Sequence, residues 1–191
     1  MSVREIALAY LARDWAPIPV PFGQKRPTLS GWQDLRITEA TLGRYFNDRP
    51  RNVGVLLGMP SRGLADIDLD APETLVLADT FLPPTSSVFG RSGKARSHRL
   101  YVCTPIVATA QFEDVDGVML VELRSTGAQT LFPPSVADDD ARCWHQDGDP
   151  APIDGRALLE HIQRLAAATI LARHWPDVTA HVRRPGGRVA E

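Results

Sequence analysis

Residues 64–70 read Leu-Ala-Asp-Ile-Asp-Leu-Asp, and no other stretch restricts the fold as much. Strict alternation of apolar and acidic residues has the period of a β-strand, not of a helix. In a strand Asp66, Asp68 and Asp70 project from one face, and Ile67 and Leu69 from the other. Neighbours on one face lie roughly 6–7 Å apart, from a rise of ~3.3 Å per residue. The fold must therefore offer this strand an apolar layer on one side and a place for three carboxylates on the other. Like charges in a row are costly unless something neutralises them. A solvated sheet edge is one such place, where charges deter aggregation. A divalent cation is another, because hard Mg²⁺ or Mn²⁺ takes oxygen ligands converging from a strand end. Three acids between apolar neighbours favour the cation.

The rest of the chain reads as strands with flanking helices, an α+β arrangement. Ser2 followed by Glu5 is a capping-box pattern, and Ile6, Ala7, Tyr10 and Leu11 give a helical stripe over residues 2–14. Ile18-Pro19-Val20-Pro21 is an edge segment, since proline cannot donate to a ladder. A basic loop follows at Gly23-Gln24-Lys25-Arg26-Pro27. Thr38 caps a second helix running to Phe46. Strands are expected at 52–58, 64–70, 87–89, 99–103, 118–123 and 129–132. A helix begins at Pro72, and Asp138-Asp139-Asp140 reads as a solvated turn. Gly155 to His174 forms a long helix with Leu158, Leu159, Ile162, Leu165, Ala166, Thr169 and Ile170 on one stripe. Residues beyond it, including Arg183-Arg184-Pro185-Gly186-Gly187, read as a flexible tail.

Two further clusters carry chemistry. Glu122 lies between Val121 and Leu123, so it points away from the side those residues bury, and Arg124 shares its face. A carboxylate from an adjacent strand would complete a two-metal clamp with ions roughly 3.5–4 Å apart; a surface Glu–Arg pair is the plainer alternative. The stretch Gly90 to Arg99 places Arg91, Lys94, Arg96 and Arg99 around Ser97 and His98, with two glycines. It reads as a loop whose backbone N–H groups and cations suit a triphosphate. It lacks P-loop spacing. His98, where the loop enters a strand, is a candidate phosphate contact or a structural histidine.

Net charge is −2, which excludes a protein coated in positive charge but not one with local basic stripes. Two widely separated cysteines, Cys103 and Cys143, argue against a disulfide framework. Cys143 and His145 fall short of the four ligands of a structural zinc site. No segment approaches the ~20 apolar residues of a membrane span, and the N-terminus lacks the apolar run of a signal peptide. The expected location is the cytoplasm.

Acidic strand, Ser-His strand, acidic strand: in that order the clusters resemble the archaeo-eukaryotic primase superfamily, and specifically its bifunctional primase/polymerase (Prim-Pol) family of phages and plasmids. Its Asp-x-Asp/Glu motif looks like Asp68-Leu69-Asp70, its histidine motif like Ser97-His98, and its third acid like Val121-Glu122. The Pro-rich strand at 17–21, Lys25, Trp32, the glycine-rich strand at 53–58 and Pro133-Pro134-Ser135 also resemble the family, over roughly residues 5–150. The third motif is commonly aspartate, and Glu122 is one methylene longer.

The resemblance implies an RRM-like catalytic core with a mixed or antiparallel sheet, an N-terminal α/β unit and a C-terminal helix. Residues 1–153 would form the catalytic domain, 154–176 a helical extension and 177–191 a flexible tail. It implies a template-dependent DNA primase/polymerase of phage or plasmid replication, acting on NTP or dNTP with two Mg²⁺ or Mn²⁺ ions. Asp68, Asp70 and Glu122 would hold the ions, with Asp66 as an auxiliary ligand or a supporting group. Arg91, Lys94, Arg96, Ser97 and His98 would grip the phosphates, and Arg124 and Gln129 would line the nucleotide pocket. Lys25, Arg26 and Trp32 would meet single-stranded template and primer, and a helicase domain or protein is a further expected partner. Two rivals share these acids: a metal-dependent nuclease, and a primase-like domain that binds nucleotide or nucleic acid without catalysis. An aspartyl-nucleophile phosphohydrolase is disfavoured, because position 70 is Asp where it needs Thr or Val, and lysines number only Lys25 and Lys94.

Overall fold

A computed structural model describes residues 1–47 and 49–175. The N-terminal unit holds α1 (Val3–Ala12), β1 (Ala16–Pro21), α2 (Glu39–Tyr45) and β2 (Arg51–Leu56). The capping box at Ser2 and Glu5 forms, with the Ser2 N–H donating to Glu5 at 2.7 Å. There follow β3 (Leu64–Leu69), α3 (Pro72–Phe81), β4 (Ser87–Arg91), β5 (Lys94–Cys103), β6 (Ala110–Glu113) and β7 (Met119–Arg124). The remainder is β8 (Gln129–Leu131), β9 (Val136–Ala137), β10 (Asp140–Ala141), β11 (Cys143–Asp147), β12 (Ala151–Ile153) and α4 (Gly155–His174).

β1, β2 and β8 form a small antiparallel sheet with proline-rich β1 at its edge. The larger sheet runs β11-β4-β5-β3-β7-β6, and β12 adds to β5 in parallel. Every other pairing in it is antiparallel. The acidic strand β3 is thus central, paired on both sides and buried along its whole length. A solvated edge is excluded for it.

The two faces of the large sheet differ. Ile67 and Leu69 join Tyr101, Val121 and Leu123 under α3 and α4, which contribute Ala78, Leu158, Ile162 and Leu165 to the same core. α4 is therefore part of the packed body, although its start coincides with the boundary read from sequence. On the opposite face Leu64, Phe89 and Leu100 are covered by α1, α2 and β2 through Tyr10, Leu42, Phe46 and Val55. That apolar cover ends at the acidic row, where Asp66 stays buried and Asp68 opens on a cleft between the two sheets.

Three differences from the sequence reading have local causes. Residues 90–97 are not an open loop. β4 and β5 continue to a tight turn at Ser92-Gly93, and the register shifts between Phe89 and Arg91. Asp138 and Asp139 form a turn with positive φ between β9 and β10, but Asp138 pairs with Lys25 and Asp140 with Arg91, so the turn braces cations instead of facing only water. β6, β11 and β12 are short strands formed by pairing with β7, β4 and β5. The tail at 177–191 lies outside the described residues. No helix among the described residues is long and apolar enough to cross a membrane.

Candidate active site

Register assembles the site. Directly opposed residues in antiparallel strands share a face. Asp68 of β3 stands opposite His98 of β5 and opposite Glu122 of β7. Glu122 in turn faces Gln111 of β6, and His98 faces Phe89 of β4. One row across five strands therefore reads Phe89, His98, Asp68, Glu122, Gln111. The row beneath it brings Leu100, Asp66 and Arg124 together. Asp70 follows the end of β3, where its backbone N–H donates to the Leu120 carbonyl at 3.0 Å.

A dense polar network occupies these rows. The Arg124 guanidinium reaches Asp68 Oδ2 and Glu122 Oε2, each at 2.6 Å. Gln111 donates to the other Glu122 oxygen at 2.9 Å. Asp66, fully buried, faces Nδ1 of His98 with its two oxygens at 3.0 and 3.2 Å and accepts from the Thr130 hydroxyl at 2.7 Å. The His98 ring stacks on Phe89 with centroids 4.5 Å apart and planes inclined by 11°. Lys94 donates to the Asp70 carbonyl.

These contacts set the proton affinities. Burial raises the Asp70 carboxyl above its ordinary value, and the Asp68 charge adds to this, with Lys94 and Arg124 compensating only in part. Burial pushes the other way at His98, yet the charges of Asp66 and Asp68 and the Asp66 hydrogen bond leave the imidazole above its ordinary value. Burial would raise Asp66, but His98, Arg124 and Thr130 hold it below the usual carboxylate range.

A cavity of about 770 Å³ opens over this face. Asp68, Asp70, His98, Glu122 and Arg124 line its floor. Arg91 and Lys94 stand on one side. Lys25, Arg26, Trp32 and Gln129 stand on the side of the small sheet. Gln129 donates to the Lys25 carbonyl at 2.9 Å and lies across Gly54, where a Cβ would sit 2.6 Å from its Oε1. A glycine at 54 is thus the reason this side chain can tie the basic loop to the sheet. Trp32 is half-buried against Ala16, Ile18 and Leu56 and lines the cavity.

Three expected site residues fall elsewhere or face inward. Arg96 turns to α3 and pairs with Asp79 at 2.9 Å, beside Arg99 on the same carboxylate at 2.6 Å. Ser97 is buried and points, like Arg99, to the helix side of β5, since successive strand residues alternate. Plain alternation would put Arg96 on the His98 face, but it lies in the stretch of the β4–β5 register shift, where four residues of β5 span two of β4. Asp66 sits below the floor, with its oxygens taken by His98 and Thr130.

Gln111, Thr130 and Arg142 line the cavity and were missed by sequence reasoning; Arg142 is the charged one. It is buried, donates to the Ala137 and Asp140 carbonyls at 3.1 and 2.9 Å, and lines the cavity beside Arg91. Burial, together with the Arg91 charge, lowers its proton affinity. No periodicity marks it; only the β9–β10 hairpin brings it in.

No group of three or more His, Cys, Asp or Glu side chains among the described residues stands ready-made as a metal cage. The donor set nevertheless suits a hard divalent ion. Asp68, Asp70 and Glu122 share one face, all three are carboxylates, and Asp70 lacks full compensation. Arg124 supplies the positive charge between Asp68 and Glu122. Comparison with curated proteins gave no match. The family model described as "Bifunctional DNA primase/polymerase, N-terminal" (Prim-Pol) matches residues 7–156, which span both sheets and every residue on the cavity floor.

Proposed function

The chain belongs to the Prim-Pol family, and from that premise we propose that its cavity performs template-dependent nucleotidyl transfer, joining an incoming nucleotide to a 3′-hydroxyl. The observation that carries this is the shared row of Asp68, Glu122 and His98, with Lys94 and Arg91 beside it. Acids for a cation and cations for a triphosphate meet within one cavity, a juxtaposition that phosphoryl transfer requires.

In this reading Asp68, Asp70 and Glu122 hold Mg²⁺ or Mn²⁺, two ions as the family resemblance implies. The chemistry supplied on binding is a lowered pKa for the attacking hydroxyl and neutralisation of phosphate charge. The 3′-hydroxyl gives up its proton to solvent, its oxygen bonds to the α-phosphorus, and the bond from that phosphorus to the oxygen bridging the β-phosphate breaks to release pyrophosphate. His98, Arg91 and Lys94 bind the phosphate oxygens, with Arg142 adding charge behind Arg91. Arg124 sits between two carboxylates and is placed to swing toward the nucleotide when they take a cation. Gln129 holds the Lys25–Arg26 loop, whose charges meet the backbone of single-stranded template or primer. Trp32 offers an aromatic ring on which a base can stack. Phage or plasmid replication with a helicase partner is the corresponding setting.

One observation favours a second reading. Arg124 engages both Asp68 and Glu122, an arrangement compatible with a domain that binds nucleotide without catalysis. Extension of a primed template with labelled dNTPs and Mn²⁺ or Mg²⁺, repeated without primer, separates the two. Wild type incorporates label, and Asp68→Asn and Asp70→Asn abolish incorporation while keeping template binding. Absence of wild-type incorporation across metals and templates defeats the catalytic reading.

A further inference from the structure

Asp66 carries the same charge and faces the same way as Asp68, but its surroundings differ. Its side chain is wholly buried, whereas Asp68 keeps 12% exposure toward the cavity. Each of its oxygens lies within hydrogen-bonding distance of His98 Nδ1, and one also accepts from Thr130. A metal ligand needs a free lone pair aimed at open space. Asp66 has no access to the cavity and is absent from its lining.

The imidazole it faces is fixed on two sides, and its carboxylate partner is itself held. Phe89 supports the ring plane, and Asp66 takes Nδ1. Thr130, on the small sheet's β8, clamps the carboxylate from behind. Thr130 also accepts from Arg124 at 3.4 Å, so the clamp ties both sheets to the floor of the site. When one ring nitrogen of a histidine is held by a carboxylate, the proton position and ring orientation at the other are determined. His98 lines the cavity, so its Nε2 is the nitrogen left for a ligand.

We infer that Asp66 is a positioning residue, which with Thr130 fixes the His98 ring through Nδ1 so that Nε2 is presented to the phosphate oxygens of a bound nucleotide. The inference rests on the proposed reading only for the identity of the ligand; the Asp66–His98 link is independent of it. Asp66 then acts through His98 and not on a cation.

Two measurements on the full chain test this. The first is ¹⁵N-histidine NMR, which reports which His98 nitrogen bears a proton and is hydrogen-bonded. Wild type shows a hydrogen-bonded Nδ1–H and, with nucleotide bound, a proton on Nε2 as well, since only an N–H there can donate to a phosphate oxygen; the Nδ1 signature is lost in Asp66→Ala and weakened in Asp66→Asn and Thr130→Val. An unchanged signature in Asp66→Ala overturns the inference. The near-isosteric Asp66→Asn keeps the question answerable should the alanine variant not fold. The second is equilibrium binding of a dNTP and, separately, of Mn²⁺. Asp66→Ala weakens dNTP binding about tenfold, by analogy with the lower end of what loss of a histidine's outer partner costs at metal sites. The same change in a His98→Ala background has no added effect, and Mn²⁺ affinity without nucleotide stays at the wild-type value. A loss of Mn²⁺ affinity, or additive losses in the double variant, overturns the inference. If His98→Ala alone leaves dNTP binding intact, the phosphate-grip reading fails, and the NMR signature still decides whether Asp66 positions the ring.

Discussion

Asp68 and Arg124 meet diagonally across the β3–β7 pair, Oδ2 to Nη2 at 2.6 Å, and the same guanidinium reaches Glu122 at 2.6 Å. The arginine stands where neutralising charge is needed between two carboxylates from adjacent strands.

Removing that charge without removing bulk therefore exposes two acids to each other. Arg124→Gln is expected to lower stability by about 2 kcal/mol, below the ~3–5 kcal/mol of a fully buried pair, because the Arg124 side chain keeps 25% exposure. Millimolar Mn²⁺ raises the thermal midpoint more in this variant than in wild type, since the ion binds only the folded carboxylates. Equal shifts in the two proteins would show that Arg124 does not compete for them.

Asp70 behaves oppositely to a salt-bridged acid. Burial and the Asp68 charge raise its folded pKa, so the folded state holds the proton more tightly than the unfolded chain. Its ionisation then costs stability as pH rises above the ordinary carboxylate value of ~3.9 and through the folded pKa. Asp70→Asn is expected to unfold at higher temperature than wild type at pH 7 without metal, and the gain vanishes below about pH 4. Melting curves across this range check it; a variant less stable at pH 7 contradicts it.

Gly90 sits at the register shift between β4 and β5. A Cβ there would lie 2.0 Å from the Lys94 carbonyl oxygen and 2.6 Å from the Ala95 carbonyl carbon. These are backbone atoms and cannot rotate away. Gly90→Ala is expected to cost about 3 kcal/mol, the upper end of overpacking losses. Denaturant titration gives the value, and a loss under about 1 kcal/mol would mean the hairpin yields more easily than its packing indicates.

The C-terminal helix is held by an acid-sensitive clamp. Arg173 of α4 reaches Asp114 at 2.8 Å and Glu73 of α3 at 2.7 Å, and His174 lies 2.7 Å from Asp114. The Arg173 hydrogen bond lowers the Asp114 pKa to about 2. This depressed acid contributes stability above the unfolded value of ~3.9, and the contribution is lost as pH falls toward about 2. Asp114→Asn is expected to be less stable than wild type at pH 6 and to converge with it near pH 2, as followed by circular dichroism. A constant gap across that range rules the clamp out as the source.

Much of this was legible in the chain, for reasons that differ by element. α4 was readable because a 3.6-residue stripe runs uninterrupted from Leu158 to Ile170, and the helix spans Gly155–His174 after a capping Asp154. β3 was readable because its alternation admits only one period. That Glu122 and His98 share its face followed from strand parity once the pairing was known, but the pairing itself is tertiary. Asp66 could be set apart from Asp68 as an auxiliary ligand or a supporting group, but nothing local announced that a histidine 32 residues later would take its oxygens. Arg96 looked like a phosphate ligand because a register shift is silent in composition; Gly90 was its one trace. Arg142 had no trace at all.

The placement of β3 between β5 and β7 also limits how this protein can vary. A single inserted residue in any of these three strands would invert every side chain beyond it, sending acids into the helix-packed layer and leucines into the cleft. Length changes must therefore collect in the turns, at 92–93 and 114–118, outside the three strands. Lineages and designed variants alike are free to lengthen those tips, while the strands between them admit substitution but not insertion.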